Sequence, residues 1–410
     1  MVAKAPSNPD MPTVVVILPS STYRAGDFIT AAESLGIDLV VASENAPPMD
    51  MGDRYLQIDC SSPSVAAEAI ADLGERIHVD GVVAADDAGV LVAAEAAAIM
   101  GLSGNSPESA RATRDKLLMR SLLARSEVDQ PIFGGLTPGD DPLAVGEAVG
   151  YPLVVKPIDR SASQGVIKVD TPDEMAPAVD RVRDIAGPNS RLLIESYVAG
   201  VEVAIEGMLT DGELTVLAVF DKPDTSVGPF FPETIFVTPS RLAEDQVVEA
   251  ERTAEAAARG LGLTTGPVHV EVRFDGPRAR VIEVAARSIG GLCSRSLNFG
   301  LTGTTLESLI LRNALGTGKT HLRREQMSSG VLMIPTPTTG TLSSVGGEAE
   351  TRAIPGVTGI DFTMTPGDRV VAPPEGERYL GFVYARADHP EQVETALRKA
   401  MATLEVQLEG

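Results

Sequence analysis

The sequence predicts an α/β unit followed by α+β units, and three observations carry that expectation. At 410 residues the chain exceeds what one hydrophobic core normally serves, so two to four domains are expected. The first hundred residues alternate β-rich runs with amphipathic helical ones. From Gly150 that alternation gives way to hairpins, long loops and single helices.

Taken in order, residues 1–12 (MVAKAPSNPDMP) read as a disordered N-terminus. TVVVILP, AAESLGI, DLVVAS, AAEAIADLGERI and DGVVAA then alternate strand and helix, a doubly wound, Rossmann-like unit at 13–106. The loop after its first strand, PSSTYRAGD, has no G-x-G-x-x-G, so the unit reads as a scaffold or substrate platform rather than a dinucleotide site. Beyond Ser106-Pro107 one helix is expected through ESARATRDKLLMRSLLARS, with Lys116 and Arg120 a turn apart. YPLVVKP and GVIKV flank a loop of small residues, and a helix from Pro172 to about Ile185 and the strand RLLIESYV complete a unit at 107–198. VEVAIEGML and LTVLAVFD form a hairpin across Thr210-Asp211-Gly212. KPDTSVGPFFPETIF has the Pro and Gly content of a lid, a helix spans about Glu244 to Gly260, and a second hairpin closes a unit at 199–327. GVLMIP, GFVYARA and the helix EQVETALRKAMATLE make a small α+β unit at 328–410.

Composition narrows function. A net charge of -23 argues against a nucleic-acid surface, which needs a basic stripe, and the lack of Trp argues against a stacking platform. No segment reaches the roughly 18–20 apolar residues of a membrane span. Nothing resembles a signal peptide, and Cys60 and Cys293 are too few for a disulfide framework, so a cytoplasmic protein is expected. An acidic protein that takes an anionic ligand must concentrate cations locally or recruit a metal.

The second hairpin shows where. VHVEVRF and RVIEVAA turn at Asp275-Gly276-Pro277, and closing the loop at Phe274 and Arg280 sets Glu271 opposite Glu283. Opposed carboxylates repel and need a cation; strand parity puts His269 with Glu271, and Ala285 and Arg287 with Glu283. A metal pair and an ordinary solvent-facing sheet side both fit this stretch. Lys156 ends an apolar strand before the loop Arg160–Gly165, whose small side chains expose N–H groups that can cradle phosphates, although a plain Ser-rich turn reads the same way. Lys116 is a second candidate cation. In LIESYVAGVEV the strand ends at Glu195-Ser196-Tyr197-Val198 and resumes before Glu202, a bent segment whose backbone could pair with an adenine edge, or a simple turn at Ala199-Gly200.

In this order, from Lys116 to Arg287, these elements resemble the ATP-grasp superfamily. Glu283-Val284-Ala285-Ala286-Arg287, preceded by His269-x-Glu271, is similar to the L-amino-acid ligases (carboxylate–amine or dipeptide ligases), and the segment from Ser328, with Pro355-Gly356-Val357, resembles that branch's C-terminal domain. The resemblance implies an ATP-grasp fold with a Rossmann-like N-terminal domain, ATP as co-substrate, and Mg2+ or Mn2+ on Glu271 and Glu283. Lys116 and Lys156 would bind the α- and β-phosphates, and Ser163, Gln164 and Gly165 would belong to the loop closing over the nucleotide. Glu195 and the Val198 backbone, with Tyr197 beside them, would hold adenine, and Glu202 the ribose. Arg287 would stabilise the transferring phosphoryl group and tetrahedral adduct, with His269, Gly290 and Gly291 on the substrate side. Most of the superfamily carries an amide where this chain has Ala285, so the number of metal ions stays open. Glycine at 291, where a bulky aromatic would restrict the acid, implies either room for a larger carboxylate or backbone freedom for a turn. The expected reaction joins a small-molecule carboxylate to an amine through an acyl phosphate; a homodimer stays open. Two alternatives are a biotin-carboxylase-like or purine-pathway ligase, whose E-x-N is absent here, and a non-catalytic ATP-binding protein, against which Glu271, Glu283 and Arg287 all stand.

Overall fold

The computed structural model describes residues 11–47, 51–224, 228–301, 303–317 and 323–409. The disorder expected at 1–12 therefore falls almost wholly outside the described residues, as do positions 225–227 of the expected lid.

Thr13–Ile17 centres a parallel four-stranded sheet, with Asp38–Ser43 and then Tyr55–Gln57 on one side and Gly81–Ala84 on the other. Val14 to Ile17 are wholly buried, as a strand covered on both faces requires. Helices Ala25–Leu35, Pro63–Gly74 and Val90–Met100 supply the covering. The single helix expected after Ser106 is two, Pro107–Arg114 and Lys116–Arg125. Asp115 breaks it: its backbone is extended and its carboxylate accepts from the N–H groups of Leu117 and Leu118, so an acidic residue that could have sat mid-helix caps the second helix instead. This puts Lys116 in a first turn, aimed at the cleft.

Phe133–Leu136, Leu192–Ser196, Leu153–Pro157 and Ile167–Val169 form an antiparallel sheet packed on Pro142–Val149 and Met175–Ala186. The third sheet is antiparallel and eight-stranded among the described residues, in the order Arg278–Ala285, Gly266–Asp275, Glu202–Thr210, Glu213–Asp221, Ile235–Thr238, Ser328–Met333, Gly381–Ala387 and Val357–Phe362. It runs across the boundary expected at 328, because Ile235–Thr238 pairs with Ser328–Met333 along its whole length. One half packs on Glu244–Gly260 and the other on Pro390–Thr403. Arg369–Val370, Gly340–Gly346 and Glu405–Glu409 form a small separate sheet.

The large sheet has two unlike faces in its first half. Val203, Ile205, Val268, Val270, Val272 and Val281 point into the core under Glu244–Gly260. The alternate positions of the same strands carry Glu202, Glu206, His269, Glu271 and Arg273, and all five are buried. The charged side is therefore a closed polar layer, and a buried charge persists only when paired.

Candidate active site

Two pairs of buried charges in that layer are fixed by strand register. His269 lies opposite Glu206 and Arg273 opposite Glu202. The imidazole Nδ1 bonds the Glu206 carboxylate, and Nε2 stands 3.4 Å from Glu271. Burial alone would lower the His269 pKa, but Glu206 and Glu271 outweigh it and hold it up at about 9. Arg273 Nε donates to Glu202 at 2.5 Å, and its Nη1 donates to the Val198 carbonyl at 3.1 Å.

Glu271 does face Glu283, by a different route from the one expected. The turn closes at Asp275 and Arg278, which by itself would throw the glutamates out of register by one residue; a bulge between Glu271 and Val272 restores them. Arg120, wholly buried, holds the bulged strand by donating to the carbonyls of Val281 at 2.9 Å and Ile282 at 2.6 Å. The same guanidinium pairs with Glu195, whose other oxygen takes the Lys156 ammonium at 2.6 Å. Burial would raise the Glu195 pKa, yet these two cations pull it down to about 2. Its carboxylate is thus occupied in holding Lys156 and the bulge, and burial lowers the Lys156 pKa.

Two lysines supply the cation that the opposed glutamates require. Lys116 Nζ lies 3.0 Å from Glu283, and it also donates to the Arg160 carbonyl at 2.6 Å. Lys222, which sequence reasoning missed, bridges Glu202, Glu271 at 2.9 Å and Glu233 at 3.3 Å. Burial opposes both charges, but attraction dominates: the Lys222 pKa stands well above its ordinary value and that of Glu271 well below. Glu233, with burial the main influence, is raised. Lys222 directly follows the strand that ends at Asp221, much as Lys156 stands next to last in its own, and that position at a strand end was the available signal.

Two clefts meet at this layer. One, of about 850 Å³, is lined by Lys116, Lys156, Tyr197, Val198, Glu202 and Lys222. The Tyr197 ring there lies between Lys168 and Arg273, 4.8 and 5.4 Å from its centroid. The second, of about 1430 Å³, is lined by Gln164, His269, Arg287, Gly290, Gly291 and Tyr379, with Tyr23 and Asp87 from the N-terminal unit. Arg160, Ser163, Glu233, Glu271 and Glu283 border both. Gly165 lies beyond Gln164 in the same loop, its N–H bonded to the Pro374 carbonyl at 2.8 Å. The strand ends at Ala285, so parity does not extend to Arg287. Arg287 is placed instead by Asp87, 3.0 Å from its Nε, and Arg114 shares that carboxylate at 3.2 Å. Burial raises the Asp87 pKa, but the two arginines hold it well below the carboxylate range.

The room expected above Gly291 does not exist. A Cβ there would meet Phe382 at 2.6 Å, and the residue has φ +59, so the aromatic volume comes from Phe382 and glycine serves the left-handed turn.

Three family models match the chain: the ATP-grasp N-terminal domain over residues 29–104, the ATP-grasp domain over 149–296, and L-amino acid ligase C-terminal domain 2 over 332–409. The chain thus carries the ATP-grasp domains and the C-terminal domain of the L-amino acid ligases. Its relatives and structural neighbours are ATP-dependent ligases. Alanine--anticapsin ligase of Bacillus subtilis (strain 168) is 29% identical over 245 residues, 54% of this chain and 51% of that protein, so the match spans about half the length of that relative. The crystal structure of L-amino acid ligase from Bacillus licheniformis has the same fold, with TM-score 0.81 at 24% identity over 97% of this chain and 99% of that one. Carboxyaminoimidazole ribonucleotide synthase from Aspergillus clavatus, solved with ATP, superposes at TM-score 0.75 and 17% identity over 96% and 98%. Among the described residues, no helix of this ATP-grasp protein is long and apolar enough to cross a membrane, and no group of three or more His, Cys, Asp or Glu side chains forms a metal cluster.

Proposed function

We propose that this ATP-grasp protein joins the carboxylate of one amino acid to the amine of another through an acyl phosphate, releasing ADP and phosphate. The observation that carries the reading is the meeting of the two clefts at Glu271 and Glu283: one cleft has the cations for a nucleotide, the other has Arg287 and room for an acid and an amine.

In this reading the smaller cleft takes ATP. Lys116 and Lys156 neutralise phosphates, and Ser163, Gln164 and Gly165 cover them. The bent backbone at Tyr197 and Val198 faces the adenine and Glu202 the ribose. Glu195 acts through Lys156, since its carboxylate is already engaged. Two opposed carboxylates supply the hard oxygen ligands that Mg2+ prefers, and Glu271 and Glu283 would hold such an ion. When bound, such an ion neutralises charge on the transferring phosphoryl group.

The acid's carboxylate oxygen attacks the γ-phosphorus and the bond to the β-phosphate oxygen breaks, leaving ADP. The amine nitrogen then attacks the acyl carbon and phosphate departs with the carbon–oxygen electron pair. The protein supplies position and charge rather than a covalent nucleophile. Arg287, oriented by Asp87, faces the oxygens that gain charge in both steps. His269, charged through most of the physiological range, supports Glu271 and adds positive charge at the acid side. The test is a screen of amino-acid pairs for ADP release with mass detection of the amide. ADP release accompanied by amide for at least one pair is expected; ATP binding with no amide from any pair of acid and amine would overturn the reading.

A further inference from the structure

The loop Arg160–Gly165 has an unusual backbone. Ala162, Ser163 and Gly165 all have positive φ, at 53, 55 and 71°. Two of the three are not glycine, and such residues persist in the left-handed region only where surrounding contacts hold them. The contacts come from far along the chain. Gly165 N–H donates to the Pro374 carbonyl at 2.8 Å, and Gln164 Nε2 donates to the Glu375 carbonyl at 2.8 Å. Glu375 is itself held by a two-pronged pair with Arg181 of the helix Met175–Ala186, at 2.8 and 3.2 Å. Arg181 also lies over the Phe230 ring at 4.8 Å. A few residues on, Arg378 Nε donates to the Tyr23 hydroxyl at 3.3 Å, and the Tyr379 hydroxyl donates to Glu233 at 3.2 Å. One short segment of the C-terminal part thus touches the phosphate-side loop, the adjoining helix, the lid residue Glu233 and the N-terminal unit.

We infer that the segment Pro374–Tyr379 is a clasp over the junction of the two clefts, and that Glu375, through Arg181 and its own carbonyl, is the positioning residue that holds the loop Arg160–Gly165 closed. The inference rests on the ligase reading for its consequence. An acyl phosphate exposed to water is hydrolysed: water adds to the acyl carbon, the carbon–oxygen bond to phosphate breaks, and acid and phosphate leave with no amide made. A loosened clasp lets that happen, so ATP is consumed without product. The segment's inner residues, Arg378 and Tyr379, border the larger cleft, so the same clasp that keeps the loop shut also walls the substrate side.

Arg181 and Glu375 are both exposed enough to substitute without harming the core, being 45% and 40% exposed. An exposed pair is worth little, so the expected change is about two- to fivefold. The experiment uses the full chain with MgATP, the pooled proteinogenic amino acids as acids and excess hydroxylamine as amine, and reads total amide by mass, hydroxamate plus any dipeptide, formed per ADP released. Arg181→Ala and Glu375→Gln should each lower that ratio, and Arg181→Glu combined with Glu375→Arg should recover part of it. A purely structural role would lower hydroxamate and ADP together. In parallel, tryptic cleavage after Arg160 in the presence of Mg2+ and AMP-PNP should run about two- to fivefold faster in Arg181→Ala. Unchanged ratios together with unchanged cleavage would overturn the clasp. If the wild-type protein releases ADP and gives neither hydroxamate nor dipeptide, the ligase reading fails, and the cleavage rates alone then decide the clasp.

Discussion

Replacing Lys222 by Met removes the ammonium that bridges Glu202, Glu271 and Glu233 while keeping an unbranched side chain of similar length. Breaking a buried pair by deleting one partner costs about 3–5 kcal/mol because it strands the other charge. The structure puts this case at the lower end. Glu202 keeps Arg273 at 2.5 Å, Glu271 keeps His269 at 3.4 Å, and Glu233 keeps the Tyr379 hydroxyl at 3.2 Å. The loss expected at pH 8 is therefore about 3 kcal/mol. Burial already raises the Glu233 pKa, so without Lys222 this carboxyl takes up a proton readily and the deficit should shrink by about 1 kcal/mol or more near pH 5.5. Millimolar Mg2+, supplying the cation that Lys222 gave Glu271, should also recover part of it. With no Trp in the chain, urea denaturation followed by circular dichroism is the suitable assay. A loss below about 1 kcal/mol that does not vary with pH would refute the reasoning that Lys222 is the counter-ion of the layer.

The remaining predictions test neighbouring parts of the site. Glu283→Gln should lower turnover about a hundredfold or more with the fold intact, because a metal-directed oxygen is lost and no packing volume changes; ADP release at the wild-type rate from the folded variant would contradict the assignment. Lys156→Ala should weaken ATP binding about tenfold or more by calorimetry at a stability cost of about 3 kcal/mol, at the lower end for a buried pair because Arg120 still neutralises Glu195. The His269 pKa is raised from 6.5 to about 9, so its share of stability, about 3 kcal/mol, is complete below pH 6.5 and fades as pH rises through 9. His269→Gln should flatten the stability profile between pH 7 and 10, and an unaltered slope would count against the Glu206 pairing.

The parts of this site legible in the sequence were those written in local pattern. Period-two alternation and a turn cluster were enough to find the Glu271 and Glu283 strands, and even their pairing, although the true register depends on a bulge that no spacing announces. Lysines at strand ends were legible for Lys156 and not drawn out for Lys222. Asp87 could not be found this way, because its meaning comes from an arginine 200 residues away. At Glu195 the sequence shows a strand end near an adenine-sized bend, and only the fold shows that Arg120 and Lys156 engage the carboxylate. Of the two alternatives at Gly291 the fold has the turn, and the spacing could not choose between them because the aromatic ring beside it belongs to Phe382, in a strand of the C-terminal part. The same long-range pairing carries the large sheet across residue 328, where the change in local texture suggested a boundary.

The central claim is that the acid's carboxylate attacks ATP and the resulting acyl phosphate is what the amine meets. It is tested most directly by isotope transfer. With an acid labelled by 18O on both carboxylate oxygens and an amine that yields product in the screen, the phosphate released should carry one labelled oxygen for each amide formed, because the carbon–oxygen bond cut by the amine leaves that atom on phosphorus. Amide formed alongside unlabelled phosphate would contradict the account.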